Sequence, residues 1–260
     1  MEFKHINYTL QEYWVEIVIN RPEVYNALNL EVLKELFAAF EKAGKSSEIR
    51  CVVLTGMGAA FCSGQDLKAV GQDLEAIPFR EIIRDYYNPL ILKMQALQKP
   101  IICKLNGLAA GAGCSLALAS DVIVASKEAY LPEIFAHIGL VMDAGGNYFL
   151  PKRIGYPLAF ELATTGRKVY AEEAEKIGLV NKAVEHDQLD AAISQYVEIY
   201  VNASAHAVGL IKEMLHESAG MSLQEVLDME MVYQHKAGKH QDFIEGITAF
   251  IEKRKPRFNS

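Results

Sequence analysis

The segment running from Lys104 to Asp121, KLNGLAAGAGCSLALASD, constrains this chain more than any other. An apolar run, Ile101–Leu105, leads directly into it and reads as a buried strand. The glycines Gly107, Gly111 and Gly113 then break the strand, and Leu116 to Ala119 resumes an apolar pattern. A strand feeding a tight small-residue turn feeding a helix is the unit of an α/β protein. Small residues also let backbone approach backbone, or a ligand, closely. The turn therefore has two readings from residues alone: tight packing of a helix, or backbone N–H groups aimed at developing negative charge. It carries no GxGxxG and no lysine followed by serine or threonine, so it is neither the dinucleotide fingerprint nor a phosphate-binding P-loop.

The same arrangement occurs earlier. Residues 49–55 form an apolar, β-branched run, and a turn, Phe61-Cys-Ser-Gly-Gln-Asp66-Leu67, follows. Two strand-end turns of this kind suggest two backbone donors converging on one oxygen. Asp66 reads as a local acceptor. Val15, Ile17 and Ile19 alternate along a first strand that Asn20-Arg21-Pro22 ends. Asn29 is placed to cap a helix with the stripe Leu33, Leu36, Phe37 and Phe40. One helix is expected over residues 79–97, stopped by Pro100, and another strand over 121–125. From about residue 184 the pattern turns wholly helical, with helices expected over 187–201, 203–216, 222–236 and 239–253, the third opened by a Ser222/Glu225 capping box. The sequence thus divides into a core, 1–200, and a helical assembly region, 201–260.

A third segment, GLVMDAGG from Gly139 to Gly146, sets Asp143 in apolar surroundings. Asp143 either caps a following helix or serves as a base, since burial raises a carboxyl from about 3.9 toward a working value. Glu133 is a second candidate acid. His137 stands four residues beyond it, but two ligands do not define a metal site, and no metal is expected.

Composition narrows the function. The 260 residues carry 26 Lys and Arg against 33 Asp and Glu, a net charge of -7, which disfavours nucleic acid as the main partner. The basic tail Lys253, Arg254, Lys255, Arg257 is either a solvated end or a grip on phosphate. Four cysteines without a CxxC pair read as buried thiols of a reducing compartment. The first residues carry no apolar leader, and no charge-free run is long enough for a bilayer, so a cytoplasmic protein without a membrane partner is expected.

Taken together, NRPEVYNAL, FCSGQDL, KPIICKLNGLAAGAGCSLALASD, GLVMDAGGNYFLPKRIG, TGRKVYAEEAEKIGLVNKAV and GITAFIEKRKPRF resemble the enoyl-CoA hydratase/isomerase (crotonase) superfamily over essentially the whole chain. The resemblance implies a spiral of ββα repeats with a C-terminal helical region that makes trimers, often paired into hexamers. It implies an acyl-CoA thioester as substrate, with coenzyme A brought by the substrate and no separate cofactor. By the family's pattern the oxyanion-hole N–H groups belong to Gln65 and Ala112. Val24 and Ala27 match the loop near the adenine, and Lys68 a phosphate-facing lysine. Phe250 and Lys253 match residues lent by a neighbouring subunit. Leu67, Phe135, Leu140 and Met142 are expected as apolar walls.

The catalytic positions depart from the hydratase pattern. Hydration uses two glutamates, which would fall at Ser115 and Phe135. Asp143 before Ala144-Gly145-Gly146 is instead similar to the ring-1,2-epoxyphenylacetyl-CoA isomerase branch of phenylacetate degradation. That implies an isomerase moving a 3-enoyl-CoA double bond to position 2 with a single aspartate. The alternatives are an enoyl-CoA hydratase, with Glu133 near the second glutamate's place, and an acyl-CoA-binding protein without activity. An aroyl-CoA dehalogenase would place a nucleophile at Asp143 but a tryptophan where this chain has Phe135, and its only tryptophan is Trp14.

Overall fold

The computed structural model describes residues 3–69 and 73–258. The chain begins with an antiparallel hairpin, β1 (Ile6–Leu10) and β2 (Trp14–Ile19), in which Ile6 faces Ile19. Helix α1 (Leu30–Lys45) follows, capped by Asn29, whose side chain accepts from Val32 N–H at 2.9 Å. Next come β3 (Cys51–Gly56) and the short β4 (Ala60–Cys62), then helices α2 (Phe79–Ile82) and α3 (Asn88–Ala96). The pattern repeats with β5 (Ile101–Leu105), β6 (Leu108–Ala109) and α4 (Ala112–Leu118). A further round supplies β7 (Val122–Ser126), β8 (Tyr130–Leu131), α5 (Gly146–Ile154) and α6 (Tyr156–Thr165). After β9 (Val169–Tyr170), α7 (Ala171–Lys176) and β10 (Lys182–Val184), four helices complete the chain. They are α8 (Leu189–Asn202), α9 (Ala205–Glu217), α10 (Leu223–Gly238) and α11 (Gln241–Ile251).

These elements wind into a spiral. The main sheet has the order β1-β2-β3-β5-β7-β10, parallel from β2 onward. Each wrap gives its first strand to this sheet and its short second strand to another layer, where β4 and β6 pair in parallel. Strands buried on both faces read as continuous apolar runs, which is why all six residues of β3 are buried. Their alternation still decides which core each side chain joins. Val52 and Leu54 face α1 and α3, whereas Cys51 and Val53 face α8 through Leu189, Ile193 and Val197. The fold is thus the mixed α/β spiral of ββα repeats with C-terminal helices.

One element differs from the sequence expectation. The single helix over 79–97 is broken by a π turn, Ile83–Tyr87, between α2 and α3. The cause is Pro89 in the first turn of α3, which lacks an N–H and would press its ring on the carbonyl four residues earlier. The capping box at Ser222 forms, with Ser222 N–H donating to Glu225 at 2.7 Å. Helix α8 runs to Asn202, two residues past the expected division, and Arg50 of the core binds Val201 O, Ala203 O and Phe258 O beyond it. Among the described residues no helix is long and apolar enough to cross a membrane. Helix α11 leaves Phe243, Ile244, Ile247, Phe250 and Ile251 exposed, an apolar face left open by the described residues.

Candidate active site

The site begins where β4 ends. Ser63 N–H donates to Tyr25 O at 3.0 Å, Leu28 N–H to Gly64 O at 2.8 Å, and Asp66 N–H to Leu28 O at 2.8 Å. These bonds clasp the loop carrying Val24 and Ala27 against the Gly64–Asp66 turn. Backbone groups alternate along an extended strand, so bonding at Gly64 and Asp66 turns the Gln65 N–H to the other side. Arg21 secures the clasp, donating to Ala27 O at 2.7 Å and to Asp66 Oδ2 at 3.0 Å. Asp66 also accepts from Ala69 N–H, which makes it a structural acceptor. Lys68 follows on the exposed side of this turn.

The next wrap brings the second turn against the first. Ala110 N–H donates to Cys62 O at 2.9 Å, and Gly111 N–H to Pro132 O at 3.1 Å. A side chain at Gly113 would place its Cβ 2.2 Å from Cys62 O, so only glycine lets α4 lie on the end of β4. Gly64 has φ +91, and a Cβ there would meet Ala110 O at 2.7 Å. The tight-packing reading of the glycine-rich turn therefore holds, and that packing sets the two turns side by side. Among the described residues, neither Gln65 N–H nor Ala112 N–H donates to another group of the chain.

Gln65, Ala112 and Asp143 line one cavity, with Leu67, Phe135 and Leu140 on its walls. Leu67 stands at the rim, half exposed. Asp143 does not cap α5, whose N-cap is Gly145; it gives only its carbonyl, to Gly146 N–H at 2.9 Å. Its Oδ1 is buried without a partner. Burial pushes its pKa up to about 6, while its own backbone N–H pulls the other way. Met142 is not a lining residue; it packs beside Gly146. Phe250, on α11, and Lys253, in the turn after it, are exposed and line no part of this cavity in the same chain.

Sequence reasoning missed the far wall. Phe79, Ile82, Ile83 and Tyr87 come from α2 and the π turn, and Ile134 and Ile138 from the segment before Asp143. Tyr87 is buried and donates to Gln65 Oε1 at 2.7 Å. The sequence signal was Pro89, whose place in a helical run forecasts a distortion that turns new side chains inward.

Glu133 lies behind this wall, 2% exposed, and does not line the cavity. Among the described residues neither of its oxygens has a nitrogen or oxygen hydrogen-bond partner, and the Cys114 thiol is the polar group beside it. Burial pushes its pKa up to about 7, and the charge of Asp143 adds to this, while the Cys114 thiol opposes it. His137 hydrogen-bonds Thr165 O at 2.8 Å. Ser115 is fully buried, its hydroxyl unpartnered beside Gly146.

A raised carboxyl pKa means the folded chain holds more protons than the unfolded one between about pH 4.5 and 7. Stability from this group then falls as pH rises through that window, by about 3 kcal/mol in full. Glu133→Gln is expected to raise the thermal midpoint at pH 8 and to give little gain at pH 5. Unfolding curves at the two pH values check this, and a gain equal at both would contradict a buried ionised Glu133.

The model of the enoyl-CoA hydratase/isomerase family matches residues 10–260. The chain belongs to the enoyl-CoA hydratase/isomerase family. Members of this crotonase group isomerise or hydrate CoA thioesters. The 1,2-epoxyphenylacetyl-CoA isomerase of Escherichia coli strain K12 is 35% identical over 244 residues, 93% of each chain. A protein of Rhodobacter capsulatus named a probable enoyl-CoA hydratase is 38% identical over 261 residues, 99% of each chain. The crystal structure of an enoyl-CoA hydratase from Bacillus anthracis superposes with a TM-score of 0.93 at 32% identity, covering 98% of this chain and 99% of that one. The crotonase relatives thus include proteins named for both reactions, and the residues of the cavity have to discriminate between them.

Proposed function

We propose that the protein is an enoyl-CoA isomerase that shifts a 3-enoyl double bond to position 2, or isomerises a ring-1,2-epoxyphenylacetyl thioester. Asp143 is the single acid and base. Gln65 and Ala112 supply the backbone N–H groups that hold the thioester oxygen. The observation that carries this reading is that Asp143 is the sole carboxylate among the described residues lining the cavity, on which both free N–H groups also open.

The chemistry follows from that set. Asp143 removes a proton from C2 of a 3-enoyl thioester. The electron pair moves into the carbonyl, and the resulting oxygen charge is met by the two N–H groups. The same carboxyl, now protonated, returns its proton at C4 and leaves the double bond between C2 and C3. Hydration needs one carboxylate to orient water and another to exchange protons. Ser115 and Phe135 occupy those places without ionising, and Glu133 is 2% exposed. The isomerase activity named for the Escherichia coli relative supports the same reading. Val24 and Ala27 would receive the adenine and Lys68 a phosphate. Phe250 and Lys253 would reach the ligand of a neighbouring copy in a trimer or hexamer, through the apolar face of α11. Residues 201–260 would then be the assembly region of a cytoplasmic enzyme.

Incubation with 3-hexenoyl-CoA, followed by chromatography of the products, tests the reading. Formation of 2-hexenoyl-CoA supports it. Absence of that product, together with conversion of 2-hexenoyl-CoA to the 3-hydroxy thioester, would assign a hydratase and move attention to Glu133. Because the base must be ionised, kcat/KM is expected to fall as pH drops below about 6. A flat profile from pH 5 to 8 would contradict Asp143 as the base.

A further inference from the structure

The π turn does more than break a helix. Asn88 N–H reaches back five residues to Ile83 O, which inserts an extra residue between α2 and α3. Turns of this kind are common at functional sites. At 3.6 residues per turn, one inserted residue rotates α3 by about 100° relative to an unbroken helix. Tyr87 closes the turn and is 2% exposed, with its hydroxyl 2.7 Å from Gln65 Oε1. A tyrosine hydroxyl has a single proton, and here it is given to that carboxamide. Burial and the nearby charge of Asp143 both oppose its ionisation, so it remains a donor across the working pH range. The other contact of the Gln65 amide, from Nε2 to Asp66 O, is long at 3.5 Å. Tyr87 is therefore what holds this side chain in place.

Resting on the reading of Gln65 N–H as an oxyanion donor, we infer that Tyr87 is a positioning residue for that donor. The π turn fixes the hydroxyl, the hydroxyl fixes the Gln65 carboxamide, and this adds a side-chain restraint to a peptide whose N–H direction is set by the flanking bonds at Gly64 and Asp66. Without the bond that restraint is lost, and the Gln65 peptide gains freedom about its donor geometry. Tyr87→Phe keeps the ring and its packing and removes only the hydroxyl.

Acetoacetyl-CoA provides a probe that does not need Asp143, because its enolate absorbs in the near ultraviolet and is favoured by an oxyanion hole. Wild-type protein is expected to enrich the bound enolate. In Tyr87→Phe that enrichment falls about five- to tenfold, the weight of one hydrogen bond. The kcat for 3-hexenoyl-CoA falls by a similar factor while KM stays within about twofold, since the loss is in the transition state. Gln65→Leu is expected to give a comparable loss, and the double variant no more than either single one, because both break the same link. Wild-type behaviour in Tyr87→Phe, or losses that add in the double variant, would overturn the inference. If wild-type protein fails to enrich the enolate, the oxyanion hole itself is wrong and the inference falls with it. If the hole works but Asp143→Asn still isomerises, the base assignment fails and the role of Tyr87 stands.

Discussion

Asp143→Asn is expected to lower double-bond migration by 10²–10⁴-fold, roughly the range removed with a positioned general base. The substitution keeps size and shape and removes only the ability to take and return a proton. Affinity for the CoA part should be nearly unchanged, because Asp143 lies among acyl-facing walls such as Phe135, Leu140 and Ile138. The variant should also be more stable than wild type at pH 8, since a carboxyl held at about 6 has to ionise in surroundings that disfavour the charge. Turnover of 3-hexenoyl-CoA, binding of CoA and a thermal melt together check this. A variant that turns over like wild type would remove Asp143 from the mechanism, whatever its effect on stability.

The second large effect is expected at Ala112. It is the first residue of α4, and its N–H has no partner among the described residues. Proline is tolerated at the first position of a helix, where the missing N–H breaks no intrahelical bond. Ala112→Pro should therefore fold, yet lose an oxyanion donor and roughly 10²–10³-fold in kcat. Ala112→Ser keeps the N–H and should stay close to wild type. Comparing the two variants with their melting curves separates a lost donor from a damaged helix. Equal activity in Ala112→Pro and wild type would mean that this N–H does not face the reacting oxygen.

The fold and the meeting of the two glycine turns were legible because they depend on local chemistry. Asn29 and Ser222 announce helix starts, and β3 reads as a strand buried on both faces. The glycines near 64 and 113 mark where two wraps touch. Asp143 was also visible as a carboxylate in apolar surroundings, although its two readings separated only when its free Oδ1 and its place on the cavity wall were seen. Tyr87 was not legible. Its contact with Gln65 spans 22 residues and depends on a rotation set by Pro89, which no apolar periodicity displays. Met142 misled for the opposite reason: it neighbours Asp143 in sequence but turns toward Gly146.

The two N–H groups belong to main chain at the ends of successive wraps, whereas the base is a side chain on a third. In the proposed assignment the scaffold thus separates the groups that would stabilise charge from the one that would move protons. Under the proposed assignment, side-chain exchanges at positions 115, 135 and 143 would change the proton chemistry while leaving the backbone frame unaltered. The room at position 115 is set from another wrap, because a Cβ at Gly146 would come within 2.7 Å of Ser115 Oγ. A glutamate placed at position 115 would have to find room beside that backbone. A larger side chain at position 115 therefore depends on position 146, in another wrap, remaining glycine.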